Sequence, residues 1–246
     1  MKIIKYILII SVLLLVGAVV VYNLFTSGYL RLNYPSFTTY PIHGIDVSHH
    51  QQTIDWDMLL AKETDYVQFV FMKATEGTTH VDSKFAENRL AVQKKNIPMA
   101  AYHFFTFCSR GADQAAHFIN IVPNDSLALP PAVDLEFGGN CKYENRLPNL
   151  LEEIVDYINI VEQHYRKKVI IYATQDFYDL YLRDQLLDNP IWIRDVYKEP
   201  KLENGRRWVF WQYANRGRLE GIETFIDINV FEGTSHELEN LRRETF

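Results

Sequence analysis

The chain has 246 residues and a formal net charge of −6, from 25 Lys and Arg against 31 Asp and Glu. This acidic balance, without a cluster of Lys and Arg, argues against nucleic acid as a partner, because phosphate binding needs concentrated positive charge. The two cysteines are too few to form a structural zinc site by themselves.

The chain begins with an apolar stretch that is long enough to cross a membrane. Residues 6–30 contain no charged side chain, and residues 7–22 are almost wholly apolar. Lys2 and Lys5 precede the stretch, and positive charge there predicts a cytoplasmic N-terminus with the rest of the chain exported. We therefore predict a transmembrane signal anchor over residues 1–25. A cleaved signal peptide is the alternative, because residues 16–18 are small like a cleavage site.

The rest of the chain is divided into a tether and one domain. Polar and aromatic residues 26–41 predict a linker, and residues 42–246 have the length of a single domain. Short apolar runs within this domain are typical of buried strands. There are eight of them, at residues 44–47, 66–73, 99–105, 132–136, 169–173, 191–194, 208–213 and 225–231.

Helical periodicity alternates with the earlier runs, at residues 83–95, 111–122 and 149–167. Alternating strands and helices favour a parallel sheet, and eight strands favour a (β/α)8 barrel of the TIM type. The stretches after residue 173 leave little room for full helices, and residues 195–207 and 214–224 are typical of loops or hairpins. The predicted fold is therefore an irregular α/β barrel with reduced helices in its C-terminal part, preceded by the transmembrane helix.

Asp134 and Glu136 lie two residues apart at the C-terminal end of the fourth run. Side chains at positions i and i+2 of a strand share one face, so these two carboxyl groups lie side by side. Hydrolysis of a glycosidic bond uses such a pair: one protonated carboxyl donates to the leaving oxygen, and one ionised group stabilises or attacks the sugar cation. Alternatively, the pair is only a solvated strand end.

Two further acids are predicted to join this pair. Asp46 lies near the end of the first run, and Asp227 lies within the eighth. Closing a barrel makes the first and last strands neighbours, so Asp46 and Asp227 are expected to face each other. All four acids then converge at the C-terminal face, where barrel enzymes have their active sites.

Aromatic and polar residues on the same runs are candidates for contact with a sugar, although aromatic residues in strands are more often simple core. Lys73 ends the second run and is expected to balance one of the acids or to bind substrate. The other candidates are Tyr102, Tyr172, Trp192, Trp211 and Gln212.

The remaining reactive side chains predict no metal site. His49, His50 and His103 lack the spacing of a metal-binding motif, so no metal is expected. Cys108 and Cys141 each follow a predicted strand end. They form a disulfide if those strands are neighbours in an oxidising compartment, or else two free thiols.

The domain resembles the family 25 glycoside hydrolases, lysozymes that act as N-acetylmuramidases. Six motifs occur in the order typical of that family. They are residues 44–51, 71–77, 101–104, 133–136, 211–213 and 227–231. Two positions differ from the pattern: His50 stands where many members have Trp, and Arg194 follows Ile193 where a small residue is expected.

The resemblance implies an irregular barrel that hydrolyses the β-1,4 bond between N-acetylmuramic acid and N-acetylglucosamine without a cofactor. By position, Glu136 is the general acid. Asp134 is either the nucleophile or the group that orients the acetamido oxygen of the substrate. Asp46 and Asp227 maintain the charge and hydrogen bonding of the site. Tyr102, Trp211 and Gln212 contact sugar.

The expected partner is therefore the glycan strand of peptidoglycan, reached by a monomer that is anchored in the membrane and exposes its domain outside the cytoplasm. Two other classes of function compete with this hypothesis. One is an inactive module that binds peptidoglycan, and the other is a metal-dependent polysaccharide deacetylase that uses the same carboxylates.

Overall fold

A nine-stranded sheet forms the centre of the computed structural model, which describes residues 2–245. Every strand except β3 belongs to a closed ring, in the order β1-β9-β8-β7-β6-β5-β4-β2, and β2 pairs with β1 to close it. The strands are β1 (Ile42–Val47), β2 (Val70–Glu76), β3 (His80–Val81), β4 (Met99–Phe104), β5 (Ala132–Leu135), β6 (Ile170–Thr174), β7 (Ile191–Arg194), β8 (Phe210–Gly217) and β9 (Ile226–Phe231).

Helices surround the first part of this ring and become short in the second part. Helices α3, α4 and α5 lie within the three predicted ranges, whereas α2 and α7 were not predicted. Between β6 and β7, the described chain forms only α6 and a π-helical turn at Tyr178–Leu182. The helices are α1 (Lys2–Thr26), α2 (Trp56–Lys62), α3 (Phe85–Lys94), α4 (Gly111–Ile121), α5 (Leu150–Tyr165), α6 (Gln175–Phe177) and α7 (Ser235–Arg243). Short 3₁₀ turns occur at His49–Gln51, Thr64–Tyr66, Tyr143–Asn145 and Glu203–Gly205.

Two glycines allow close packing that a larger residue would prevent. A Cβ atom at Gly111, the first residue of α4, would lie 1.8 Å from the carbonyl oxygen of Glu153 in α5. A Cβ atom at Gly44 in β1 would lie 2.5 Å from the ring of Phe69, which fills the barrel interior. Both positions therefore require the absence of a side chain.

The interior of the barrel changes from apolar to polar along its axis. Inward-facing positions at one end are occupied by apolar residues such as Ile42, Phe69, Phe210 and Phe231. At the other end, the inward side chains are those of the four acids and their neighbours, which line a cavity. Apolar burial thus holds the strands together, and the polar end remains open for chemistry.

The last strand corrects the prediction of a parallel sheet. Strand β9 runs antiparallel to both β8 and β1. The connection at 218–225 is too short for a crossover, which needs roughly a dozen residues or more, so the chain must reverse as a hairpin. Residue Asp227 therefore lies at the beginning of β9 and still reaches the rim where the other strands end.

Helix α1 is long and apolar enough to be a candidate membrane span, over Ile3–Thr26, and its side chains are exposed. Residues 26–41, predicted to be a linker, contact the domain. We call residues 29–40 the strap. Phe37 stacks on His43 with ring centroids 4.0 Å apart, and Tyr40 packs at 5.7 Å from Trp208. The strap covers an outer face of the barrel near β1 and β8.

We expect the strap to stabilise the folded domain. Replacing Phe37 with Ala removes its stack on His43 and lowers the free energy of unfolding by about 1 kcal/mol. Chemical denaturation of a chain that begins at residue 27 measures this loss. Tyr29→Ala, at a position that is 73% exposed, is the matched control. Equal stability of the two variants would contradict a packed strap.

Candidate active site

One cavity of about 470 Å³ at the polar end of the barrel is lined by all four predicted acids, Asp46, Asp134, Glu136 and Asp227. Asp46 pairs with Asp227 in the register of β1 and β9. Asp134 pairs with Tyr172 in the register of β5 and β6. Three separated segments thus bring their carboxyl groups to one rim, as the sequence predicted.

Asp46 is the most constrained of these acids. Its side chain is buried, and Oδ2 accepts hydrogen bonds from Gln212 Nε2 at 2.9 Å and Asn229 Nδ2 at 2.8 Å. The oxygens of the two amides accept hydrogen bonds in turn, from the Tyr172 hydroxyl at 3.1 Å and from Trp192 Nε1 at 2.8 Å. Each amide is therefore fixed with its NH₂ group directed at Asp46.

This network gives Tyr172 and Trp192 a structural role beside their predicted contact with sugar. Both line the floor of the cavity, but only 5% and 2% of their surfaces are exposed. The Trp192 ring stacks on Phe71 with centroids 4.2 Å apart, so that face is not open to a sugar. Their polar atoms orient the amides of Gln212 and Asn229.

Asp46 and Asp227 form a coupled pair that shares a proton. Burial raises the pKa of Asp46 to about 6, although the hydrogen bonds from Asn229 and Gln212 oppose this rise. Burial and then the charge of Asp46 raise the pKa of Asp227 well above its usual range. Two buried carboxyl groups that are hydrogen-bonded to each other in this way favour holding one proton between them.

Glu136 lies at the edge of the cavity, with 20% of its side chain exposed. Burial raises its pKa above the usual value, and the charge of Asp46 contributes to this rise. The Arg194 guanidinium opposes it, with Nη1 at 3.7 Å from Glu136 Oε2. Glu136 thus has the environment of a carboxyl group that retains its proton but remains accessible.

Asp134 is more enclosed than Glu136. Burial and then the neighbouring Glu136 raise its pKa well above the usual range, while the Lys73 cation opposes the rise. Its Oδ1 atom is buried and has no hydrogen-bond partner among residues 2–245. A buried acceptor without a partner is costly, so this carboxyl group, which lines the cavity, lacks the compensation that a donor from a ligand would give it.

Lys73 and Tyr102 line the same cavity. The direct partner of Lys73 is Glu76, at 2.7 Å from Nζ to Oε2, and its ammonium group also lies 4.8 Å from the centre of the Phe104 ring. Tyr102 is buried, which raises the pKa of its hydroxyl, and that hydroxyl has no hydrogen-bond partner in the described part of the chain. It is available to a ligand.

Trp211 does not line the cavity, and its predicted contact with sugar is wrong. Neighbouring residues of a strand face opposite sides, so the inward position of Gln212 turns Trp211 outward. Its ring packs beside Trp208 at 5.9 Å, and Nε1 donates to the carbonyl oxygen of Asp195 at 2.7 Å. Trp211 thus belongs to the packing under the strap.

The loop after Glu136 is held at two points. Cys108 and Cys141 are joined by a disulfide, with their Cα atoms 6.1 Å apart. The Asn140 side chain links this loop to the end of β4 and to the backbone of Glu136. Its amide donates to the carbonyl oxygens of Phe105 at 2.8 Å and Glu136 at 3.1 Å, and its oxygen accepts from the backbone of Phe107 and Cys141, each at 2.9 Å.

Asn229, Asn140 and Arg194 help to form the site but were not among the predicted site residues. Asn229 is two residues after Asp227, so the same i, i+2 rule that paired Asp134 with Glu136 identifies it. Arg194 was noticed only as an unusual residue at a strand end. Asn140 carries no local signal, because its four hydrogen bonds depend on how two loops meet.

The histidines have ordinary structural partners. His103 lies between Thr75 Oγ1 at 2.7 Å and Gln114 Oε1 at 3.1 Å, and burial lowers its pKa to about 3, so it is neutral. His49 bonds to Asp82 at 2.8 Å. Among residues 2–245, no group of three His, Cys, Asp or Glu side chains has an arrangement suited to a metal ion.

Comparison with known proteins gives consistent matches. Residues 45–222 match the model of glycosyl hydrolases family 25. The solved structure of a family 25 glycosyl hydrolase from Bacillus anthracis is 42% identical, with a TM-score of 0.76, and the match covers 87% of this chain and 98% of that one. The uncharacterized protein YegX of Escherichia coli K12 is 34% identical over 82% of this chain and 73% of its own length. Lysozyme M1 of Streptomyces globisporus is 29% identical over 83% of this chain and 72% of its own length.

The buried acids predict a pH-dependent stability. A raised pKa in the folded state gives stability that is present below about pH 4 and lost as the pH rises through the folded pKa. Asp227→Asn replaces the shared proton with an amide donor that does not titrate. The free energy of unfolding is therefore expected to fall less from pH 4 to pH 7.5 in this variant than in wild type. The difference is at least about 1 kcal/mol, the value of one pKa unit.

Urea denaturation at the two pH values measures this difference. Glu144→Gln, at an exposed position, is the control and should lose as much stability as wild type. An identical loss in Asp227→Asn and wild type would contradict the shared proton.

Proposed function

Because this chain belongs to glycosyl hydrolase family 25, and is a glycoside hydrolase, we propose that it hydrolyses peptidoglycan as a lysozyme. The bond cleaved is the β-1,4 bond between N-acetylmuramic acid and N-acetylglucosamine. The observation that carries the proposal is the cavity in which the partly exposed Glu136 lies with the three aspartates Asp46, Asp134 and Asp227. A relative named Lysozyme M1 supports the choice of substrate.

Glu136 is the proposed general acid. Its carboxyl must be protonated to donate to the bridging oxygen, and burial together with the charge of Asp46 favours the protonated form. Arg194 attracts the same group, which keeps the rise in pKa moderate and stabilises the carboxylate after proton transfer. A moderate pKa lets Glu136 next act as the base that takes a proton from water.

Asp134 is proposed to act on the substrate acetamido group. Its carboxyl group lines the cavity and has an oxygen without a partner among the described residues, and an acetamido N–H would supply a donor to the group. That hydrogen bond directs the acetamido carbonyl oxygen at the anomeric carbon. The oxygen bonds to this carbon as the glycosidic bond breaks, and the bridging oxygen leaves with the proton from Glu136. Direct attack by Asp134 is the alternative mechanism, and it differs in leaving a covalent sugar–protein adduct that mass spectrometry detects.

The other cavity residues hold this pair in place or contact substrate. Asp46 and Asp227, which hold one proton between them, supply one negative charge, and Gln212 fixes Asp46 by hydrogen bonding. Lys73 limits the charge around Asp134. The Tyr102 hydroxyl is the proposed sugar contact at the floor of the cavity.

Location follows from the N-terminal helix. We assign residues 1–25 to a membrane anchor, 26–41 to a connecting segment and 42–246 to the catalytic domain, which acts as a monomer outside the cytoplasm. The apolar span Ile3–Thr26 supports this arrangement. Retention of the intact N-terminus in the membrane fraction supports an anchor, whereas a mature chain that begins after residue 18 identifies a cleaved signal.

Glu136→Gln is expected to lower kcat by about 100- to 10,000-fold, the usual contribution of a general acid, because the amide cannot donate the proton at the required strength. Clearing of purified peptidoglycan measures the loss, and wild-type fragments should carry N-acetylmuramic acid at the reducing end. Glu76→Gln is the matched control, since it removes another cavity carboxyl that pairs with Lys73.

Equal activity of Glu136→Gln and wild type would contradict the proposed acid. Inactive wild type that still binds peptidoglycan would favour the binding module. Release of acetate that stops with a chelator would favour the deacetylase, whereas the lysozyme is expected to be insensitive to chelator.

A further inference from the structure

A second cavity, of about 490 Å³, adjoins the active-site cavity. Arg194 and Asn215 line both cavities, so the two form a continuous surface. One wall of the second cavity is formed by Phe25 and by residues 30–32. These residues lie before residue 45, where the match to the family model begins, so this wall is a feature of this chain outside the matched domain.

The second cavity carries an excess of positive charge. Arg31, Arg194 and Arg216 line it, against the single carboxylate of Asp195. That carboxylate is already engaged, because its Oδ1 accepts from the backbone nitrogens of Tyr197 at 2.9 Å and of Lys198 at 3.1 Å. We call this cavity the basic groove.

Two of its arginines are fixed in place without an acidic partner. Arg31 lies over the ring of Tyr34 at 4.8 Å and lies 5.9 Å from the rings of Tyr66 and Tyr213. Arg216 packs over Phe225 at 4.7 Å, and its buried Nε atom has no hydrogen-bond partner among residues 2–245. Guanidinium groups held in this way are well placed to bind a carboxylate, since little side-chain entropy remains to be lost.

We propose that the basic groove is an accessory subsite for the peptide stem of peptidoglycan. This inference rests on the proposed function, because a glycan strand in the active-site cavity brings the stem on a neighbouring N-acetylmuramic acid to Arg194 and Asn215. The sugars of such a strand are neutral where the lactyl group is in amide linkage. The free carboxylates of the stem are therefore the anions that the groove can select.

A consequence is that the strap contributes to substrate selection. Strands whose stems carry free carboxylates bind more tightly than strands whose carboxylates have been converted to amides. The effect of Arg31 appears in KM, because Arg31 lies outside the active-site cavity, whereas Arg194, which contacts Glu136, is the same in every variant compared. It is smaller at high ionic strength.

The test uses the full chain in an uncharged detergent with uncrosslinked glycan strands, either native or amidated at the stem carboxylates. Wild type is expected to show a kcat/KM about tenfold higher on native strands, the usual scale for one charge-assisted pair. Arg31→Met should lose this preference through KM, and Arg31→Lys should retain part of it.

Two further variants separate binding from folding. Arg218→Met removes an arginine that also attaches the N-terminal segment, through Ser27 O at 3.0 Å, but does not line the groove, so the preference should persist. Leu32→Glu adds a carboxylate at an exposed wall position and should abolish the preference without removing a strap contact.

Equal rates of wild type on native and amidated strands would overturn the subsite and leave the proposed function intact. An equal loss on both strands in Arg31→Met would also overturn it, since Arg31 then only holds the strap. The subsite would also be overturned if Arg31→Met weakened only the binding of phosphatidylglycerol vesicles and left the preference between strands unchanged. That result would assign the groove to a lipid headgroup. Failure of wild type on both strands would instead refute the proposed lysozyme activity.

Discussion

The hydrogen bonds that Gln212 and Asn229 donate to Asp46 are the interaction on which the polar end of the barrel depends. Burying a carboxyl group is costly unless donors compensate for the lost water. Tyr172 and Trp192 hold the two amides in the orientation that supplies these donors. Asp46 can therefore remain buried, and its charge raises the pKa of Asp227, Asp134 and Glu136.

The reversal of the last strand has consequences on both surfaces of the barrel. Inside, it brings Asp227 and Asn229 to the same rim as Asp46, although β9 runs opposite to its neighbours. Outside, the short connections between β7, β8 and β9 contain no long helix, so that the strap covers part of the barrel wall. The same strap continues to Arg31, where it forms a wall of the basic groove. One topological feature thus links the acid cluster with the accessory surface.

The sequence predicts much of the site because strands have a period of two. That rule pairs Asp134 with Glu136, and it also identifies Asn229 from Asp227. The same rule excludes Trp211, since Gln212 beside it faces inward, so this error was avoidable. The sequence could not predict that Phe37 and Tyr40 pack on the barrel, because their partners are exposed only where the fold lacks a helix. The disulfide depended on which strands are neighbours, which requires the topology.

Burial among neighbouring acids lets Glu136 retain the proton that it donates. A carbon-13 NMR titration of the carboxyl groups, with the Glu136 signal assigned by its absence in Glu136→Gln, measures this directly. We expect a pKa for Glu136 above the ordinary value of about 4.3, and a lower one in Asp46→Asn, where the nearby charge is gone. A Glu136 pKa at or below the ordinary value, unchanged by Asp46→Asn, would show that neither burial nor Asp46 retains this proton.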